Sequence, residues 1–192
     1  MEKNDLAKKI DLLIIGGSAG SFSVLLSLIP KIETPINFAI LIVLHRKDTL
    51  STSIIEVFKP KTTINIIECE DKDPIISGNI YFAPADYHLL IENDHTFSLD
   101  YSEKVNYSRP SIDVTFKVAA DLYNDKMAAI LLSGANHDGA EGLFYVQQKS
   151  GTTIVQNPLT AEIDTMPKQA LNLFKPDFVA DIDEMASIIN NF

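Results

Sequence analysis

Residues 12–21 read Leu12-Leu13-Ile14-Ile15-Gly16-Gly17-Ser18-Ala19-Gly20-Ser21, and a mainly apolar stretch, 22–29, follows them. Side chains that are apolar on successive positions fit a strand covered on both faces, which is the habit of parallel sheets. The small residues after it allow a sharp turn and the close approach of another backbone or a ligand. Strand, tight turn, helix is the opening of a βαβ unit, and the rest of the chain repeats the theme. Further apolar runs lie at 38–44, 64–67, 80–83, 128–132, 152–155 and 178–179. Helical patterns separate them. Ile112, Thr115, Phe116, Ala119, Ala120 and Tyr123 fall on one helical face, with Pro110 where a first turn tolerates it. Leu143, Phe144 and Gln147 share a second face after Asp138-Gly139. The pattern predicts an α/β fold: a doubly wound, mostly parallel sheet with helices on both faces. Residues 75–99 have strand-like runs, short turns and no helical period, so a small antiparallel hairpin is expected there.

The 192 residues carry 16 Lys+Arg against 26 Asp+Glu, a formal charge of −10, and 46% of them are hydrophobic. No repeat or linker divides the chain, so residues 1–192 are read as one domain. A chain of this size buries roughly 70% of its unfolded surface and needs no covalent or metal staple. The single cysteine, Cys69, excludes an internal disulfide framework. With no basic-then-apolar leader at the N-terminus, the expectation is a cytoplasmic protein. The apolar stretch 38–44 is too short to cross a bilayer, so no membrane insertion is expected. An acid excess argues against nucleic-acid partners, whose phosphates call for lysine and arginine.

In doubly wound sheets chemistry gathers at the carboxyl ends of the strands. Three such ends carry reactive side chains. Ser18 stands on the turn after the first strand, beside amides that could hold an anion; Ser18 or Ser21 could equally cap the following helix. The turn has neither Gly-x-Gly-x-x-Gly spacing nor the Lys-Ser/Thr ending of a P-loop, which disfavours a nucleotide site. Gly16-x-Ser18-x-Gly20 matches the nucleophile elbow of α/β-hydrolases, but in that fold the acid precedes the histidine, and here it does not. His45 ends the second strand, where a neutral imidazole could take a hydroxyl proton and return it to a leaving group. Asp138 follows the run 128–132 and could fix the imidazole tautomer, or could instead cap its own helix. His45, His88, His95 and His137 make no metal-ligand pattern, and neither a metal nor a cofactor is expected. Arg46, Lys47 and Arg109 are candidate cations for an acidic partner, or simply solvated charges.

Taken together these blocks resemble the catalytic domain of the chemotaxis protein-glutamate methylesterase family. The resemblance runs from Leu12 to about Asp183 and rests on Ile15 through Gly20, Val43-Leu44-His45, Ile80 through His88, Arg109 through Phe116, Gly134 through Gly139, Gln156-Asn157 and Met166 through Ala170. It implies a Ser-His-Asp triad with Ser18 as nucleophile, His45 as general base and then acid, and Asp138 orienting the imidazole. It also implies hydrolysis of glutamyl methyl esters on the cytoplasmic helices of methylated chemoreceptors, with deamidation of receptor glutamines as a second activity. Main-chain oxyanion donors would be the amides of Ala135 and Ala19. Two departures stand out. Ala19 replaces the family's usual Thr, and Gly134-Ala135-Asn136 replaces its Gly-Met-Gly. About ten residues precede the first strand, too few for the receiver domain that many members carry, so regulation by a separate receiver or methyltransferase protein is expected. The alternatives are a catalytically idle module docking to a receptor or methyltransferase, and an esterase with another protein substrate.

Overall fold

The computed structural model describes residues 9–46 and 53–192. Seven strands form one parallel sheet in the order β3-β4-β2-β1-β7-β8-β9: β1 Leu12–Gly17, β2 Ala39–Leu44, β3 Asn65–Glu68, β4 Asn79–Phe82, β7 Met127–Leu131, β8 Thr152–Gln156 and β9 Phe178–Ala180. The antiparallel pair β5 His88–Ile91 and β6 Phe97–Asp100 is the hairpin expected within residues 75–99, while β4 joins the parallel sheet. The helices are α1 Ser21–Leu28, α2 Ile54–Phe58, α3 Ile112–Tyr123, α4 Ala140–Gln148, α5 Thr165–Leu173 and α6 Ile182–Asn190. None among the described residues is long and apolar enough to span a membrane.

Every residue of β1, β2, β7 and β8 is buried, which explains why their sequences are apolar at successive positions. Alternate side chains divide between two cores. Leu13, Ile15, Ile40 and Ile42 pack under α1, α2 and α6. Leu12, Ile14, Leu41 and Val43 pack under α3, α4, α5 and the hairpin. The chain leaves β1 for β2 on one side and later returns to pair β7 on its other side. The carboxyl ends of β2, β1 and β7 are therefore neighbours at the point where the winding reverses, the usual position of a crevice in such sheets.

Helix α3 is set deep against this crevice. Its first residue, Ile112, lies so close to β1 that a Cβ on Gly16 would fall 2.4 Å from the Ile112 Cγ2, so position 16 must have no side chain. The hairpin braces the same end: the Ser111 amide donates to His88 Nδ1 at 3.1 Å, and Thr115 Oγ1 donates to Leu89 O at 2.8 Å.

Candidate active site

His45 directly follows β2, and its amide donates to Gly17 O of β1 at 3.2 Å. Gly17 pairs with Leu44, so Ser18 and His45 are the next positions on adjacent strands, whose axes are about 4.8 Å apart. Counting by twos from Gly16 and Val43, both of which face the α3 side, puts the two side chains on that side too.

His45 Nε2 lies 2.7 Å from Asp138 Oδ2. The Asp138 side chain is fully buried and is capped by α3, not by the helix that follows it. Ser111 Oγ donates to Oδ1 at 2.8 Å, and the amides of Ile112 and Asp113 donate at 2.7 and 3.2 Å. These are the first amides of α3, where the helix dipole favours a negative charge. The N-cap of α4 is Gly139, without a side-chain cap, so the reading of Asp138 as the cap of its own helix does not hold. Burial pushes the Asp138 carboxyl up, but the His45 ring, the Ile112 amide and the Ser111 hydroxyl outweigh it and hold the group below the ordinary aspartate value. A carboxylate only accepts, so Nε2 carries the proton and Nδ1 turns its lone pair to the crevice.

Ser18 is half-buried on the β1 turn. Its amide donates to Ser133 O at 2.9 Å, tying it to the end of β7. Position 134 is glycine for a local reason: a Cβ there would sit 2.5 Å from Met166 Cε and 3.0 Å from Ser18 Cβ. Neither Ser18 nor Ser21 caps α1, whose N-cap is Gly20 at φ 83°; Ser21 Oγ instead donates to Ser18 O. Ser18 Oγ makes no hydrogen bond with a described residue. Among the described residues the hydroxyl hydrogen-bonded to the other ring nitrogen of His45 is that of Ser108, 3.4 Å from Nδ1.

Around Ser18, the Ser18 and Gly134 amides are engaged, with Ser133 O and Ile163 O, whereas those of Ala19 and Ala135 donate to no described residue. Both alanines are exposed. Ser133 Oγ holds the frame, within 2.9 Å of Ala19 O and 3.0 Å of Ile163 O, and Gln156 Oε1 accepts from the Ser133 amide at 2.8 Å.

The remaining sequence candidates lie elsewhere or are committed. Arg46 pairs with Glu68 and donates to Ala83 O, and Arg109 lies over the Tyr101 ring while donating to Tyr101 O and Ser102 O. Lys47 is outside the described residues. Cys69 is buried just past β3, and burial raises its thiol well above the usual value. His88 braces α3, His95 bonds Tyr123 at the far end of that helix, and His137 is exposed. Among the described residues no three His, Cys, Asp or Glu side chains converge to hold a metal ion.

Sequence reading missed Ser108, Asn106 and the contacts of Asn136. Asn106 Nδ2 donates to Asp113 Oδ2 at 2.8 Å and to Asp138 Oδ1 at 3.3 Å. Asn136 Oδ1 accepts from the Asp138 amide at 3.2 Å. Pro110 and the α3 periodicity marked the neighbourhood, but nothing local marks a loop residue whose partner is 63 positions away in the chain.

Set against known proteins, the chain matches the CheB methylesterase family model over residues 13–189. A relative from Leptospira interrogans is 40% identical over 176 residues, covering 92% of this chain and 91% of the relative. The protein-glutamate methylesterase/protein-glutamine glutaminase of Halobacterium salinarum is 31% identical over 92% of this chain, which spans about half (52%) of that protein. The crystal structure of the Thermotoga maritima CheB methylesterase catalytic domain superposes with a TM-score of 0.90 at 28% identity, covering 96% of this chain and all of that one. With the fold of a solved member and a family match along nearly its whole length, the chain belongs to the CheB methylesterase family.

Proposed function

We propose that the protein is a cytoplasmic serine hydrolase that removes methyl esters from glutamate side chains of chemoreceptors, and that it also deamidates receptor glutamines. The observation that carries this reading is the 2.7 Å contact between His45 Nε2 and an Asp138 carboxylate seated on the α3 amides. It leaves Nδ1 as the basic atom, on the same side as the neighbouring Ser18. Similarity to relatives named for this activity supports the substrate class.

In the proposed reaction Ser18 Oγ attacks the ester γ-carbonyl while its proton passes to His45 Nδ1. The tetrahedral oxyanion accepts from the Ala19 and Ala135 amides, which have no protein acceptor among the described residues. The imidazolium gives the proton to the departing methoxide, releasing methanol, and His45 then activates the water that frees glutamate from the acyl-enzyme. Asp138 stays ionised throughout and holds the ring. No cofactor is needed, because ester hydrolysis requires only an activated oxygen nucleophile and donors for the oxyanion, with no change of oxidation state. The partners under this reading are methylated receptor helices and a separate receiver or methyltransferase protein.

Methanol release from methylated receptor membranes tests the reading. The wild type is expected to release methanol, and Ser18→Ala at least a thousandfold less, on the order seen when a triad member is removed. A correctly folded wild type that binds receptor and releases none would favour an idle docking module.

A further inference from the structure

The proposed triad leaves one hydroxyl at the base without a role. Ser108 Oγ is buried, 3.4 Å from His45 Nδ1, the ring nitrogen that faces away from Asp138. It also lies 3.3 Å from Asn106 O and accepts from Asn136 Nδ2 at 3.3 Å. The hydroxyl therefore has one donor aimed at it and two acceptors competing for its proton.

The backbone around Ser108 is built to keep it there. Val105 and Ser108 exchange both main-chain hydrogen bonds, at 3.2 and 2.9 Å, around a two-residue turn. Asn106 and Tyr107 at its tip have φ of 50° and 61°, a conformation that asparagine tolerates better than most residues and that is costly for a bulky side chain. Asn106 fastens this turn from beneath, because its amide donates to both Asp138 and Asp113. The carboxylate that holds Nε2 thus also holds the turn that presents Ser108 to Nδ1. Asn136 closes the loop, accepting from the Asp138 amide with Oδ1 and donating to Ser108 Oγ with Nδ2.

We infer that Ser108 is a positioning residue of His45, which steadies the ring through Nδ1 in both of its charge states. The inference rests on the Ser-His-Asp reading. In the resting enzyme Ser108 O–H donates to the single Nδ1 lone pair, and it yields that lone pair to the Ser18 hydroxyl when the nucleophile attacks. As Nδ1 takes the Ser18 proton, the Ser108 hydroxyl turns its own hydrogen to Asn106 O and accepts from Nδ1–H until the leaving group takes that proton. Asn136 still donates to it, so the oxygen keeps a full set of partners. No proton leaves Ser108; the only net transfer is from Ser18 Oγ to His45 Nδ1 and on to the leaving group. A hydroxyl meets both demands because it can donate and accept, which an alanine methyl cannot.

The experiment measures the rate at which a serine-directed fluorophosphonate inactivates wild type, Ser108→Ala and Ser108→Thr from pH 5 to 9, with the adduct mapped by mass spectrometry. Losing one hydrogen bond to the imidazolium is expected to slow inactivation of Ser108→Ala about three- to tenfold. It is also expected to shift the acid limb of its profile to lower pH, since of the two bonds lost the charge-assisted one to the protonated ring is the stronger. Ser108→Thr, which keeps the hydroxyl, is expected to restore both. The other ionisable groups at this place, Asp138 on the ring, Asp113 beyond Asn106 and the Arg46–Glu68 pair, are common to all three proteins. An acid limb that stays put in Ser108→Ala overturns the inference even if the reaction slows, because a merely structural loss lowers the rate without moving the midpoint. A wild type that takes no adduct on Ser18 overturns the hydrolase reading and this inference with it, whereas a labelled wild type matched in rate and midpoint by Ser108→Ala overturns the inference alone.

Discussion

Asp113 and Asp138 show how two buried carboxylates in one network acquire opposite properties. Asp138 collects the His45 ring, two amides and a hydroxyl, and stays ionised. Asp113 has the Gly142 amide at 2.6 Å and shares the Asn106 amide with its neighbour; burial, with the Asp138 charge adding to it, pushes its carboxyl up to about 6. A carboxyl raised in the fold contributes stability below its unfolded value, near 4, and loses that contribution as pH rises to about 6. The wild type is therefore expected to lose about 1–3 kcal/mol relative to Asp113→Asn between pH 4 and pH 6.5. Urea unfolding of both proteins across that range checks it, and parallel stability curves would contradict it. Asp138, held low, works in the other direction: its contribution is present above pH 4 and fades only as pH falls further. Little of this was legible in the sequence. Ser18, His45 and Asp138 stand out because they follow apolar runs, but the choice between capping and orienting roles for Asp138 depends on which helix end meets it. Ser108 and Asn106 belong to a loop whose left-handed turn only tertiary contacts impose.

At the scale of elements, the decisive contact is α3 against the end of β1. The sequence announces both: four successive apolar residues for the strand, and an i, i+3, i+4, i+7 face for the helix. It does not announce that Gly16 lets them meet so closely. An alanine at 16 must drive Ile112 back from a site with no free space, and Ile112 contributes an amide to Asp138. Gly16→Ala is expected to cost about 1–3 kcal/mol of stability, the range for overpacking a core. Because the Asp138 seat moves with α3, methanol release is expected to fall further than the folded fraction does, and equal losses would show that the two are not linked. Apolar runs buried on both faces reveal a parallel sheet, yet they conceal which residues face which helices, since Leu13 and Leu12 read alike and enter different cores. The hairpin was legible from its short turns, and its function as a brace for the start of α3 was not.

For the whole molecule, strand order turns scattered residues into one site. β2, β1 and β7 lie side by side although β7 begins more than eighty residues after β2 ends, and no sequence pattern states that adjacency. Loops following these three strands bring Ser18, His45 and the Gly134–Gly139 segment to one edge, and the amides left open at Ala19 and Ala135 lie on two of those loops. Arg46 is paired with Glu68, so recognition of an acidic partner cannot rest on it as a free charge, whereas Arg109 is held by two main-chain carbonyls and the Tyr101 ring, none of which neutralises it. The central claim is that Ser18 is made nucleophilic by His45. Reaction with a fluorophosphonate followed by peptide mapping tests it directly in wild type and His45→Ala. The expected result is a single adduct on Ser18 in the wild type and none in His45→Ala on the same timescale; an adduct on another residue, or equal labelling of Ser18 without the histidine, would contradict it.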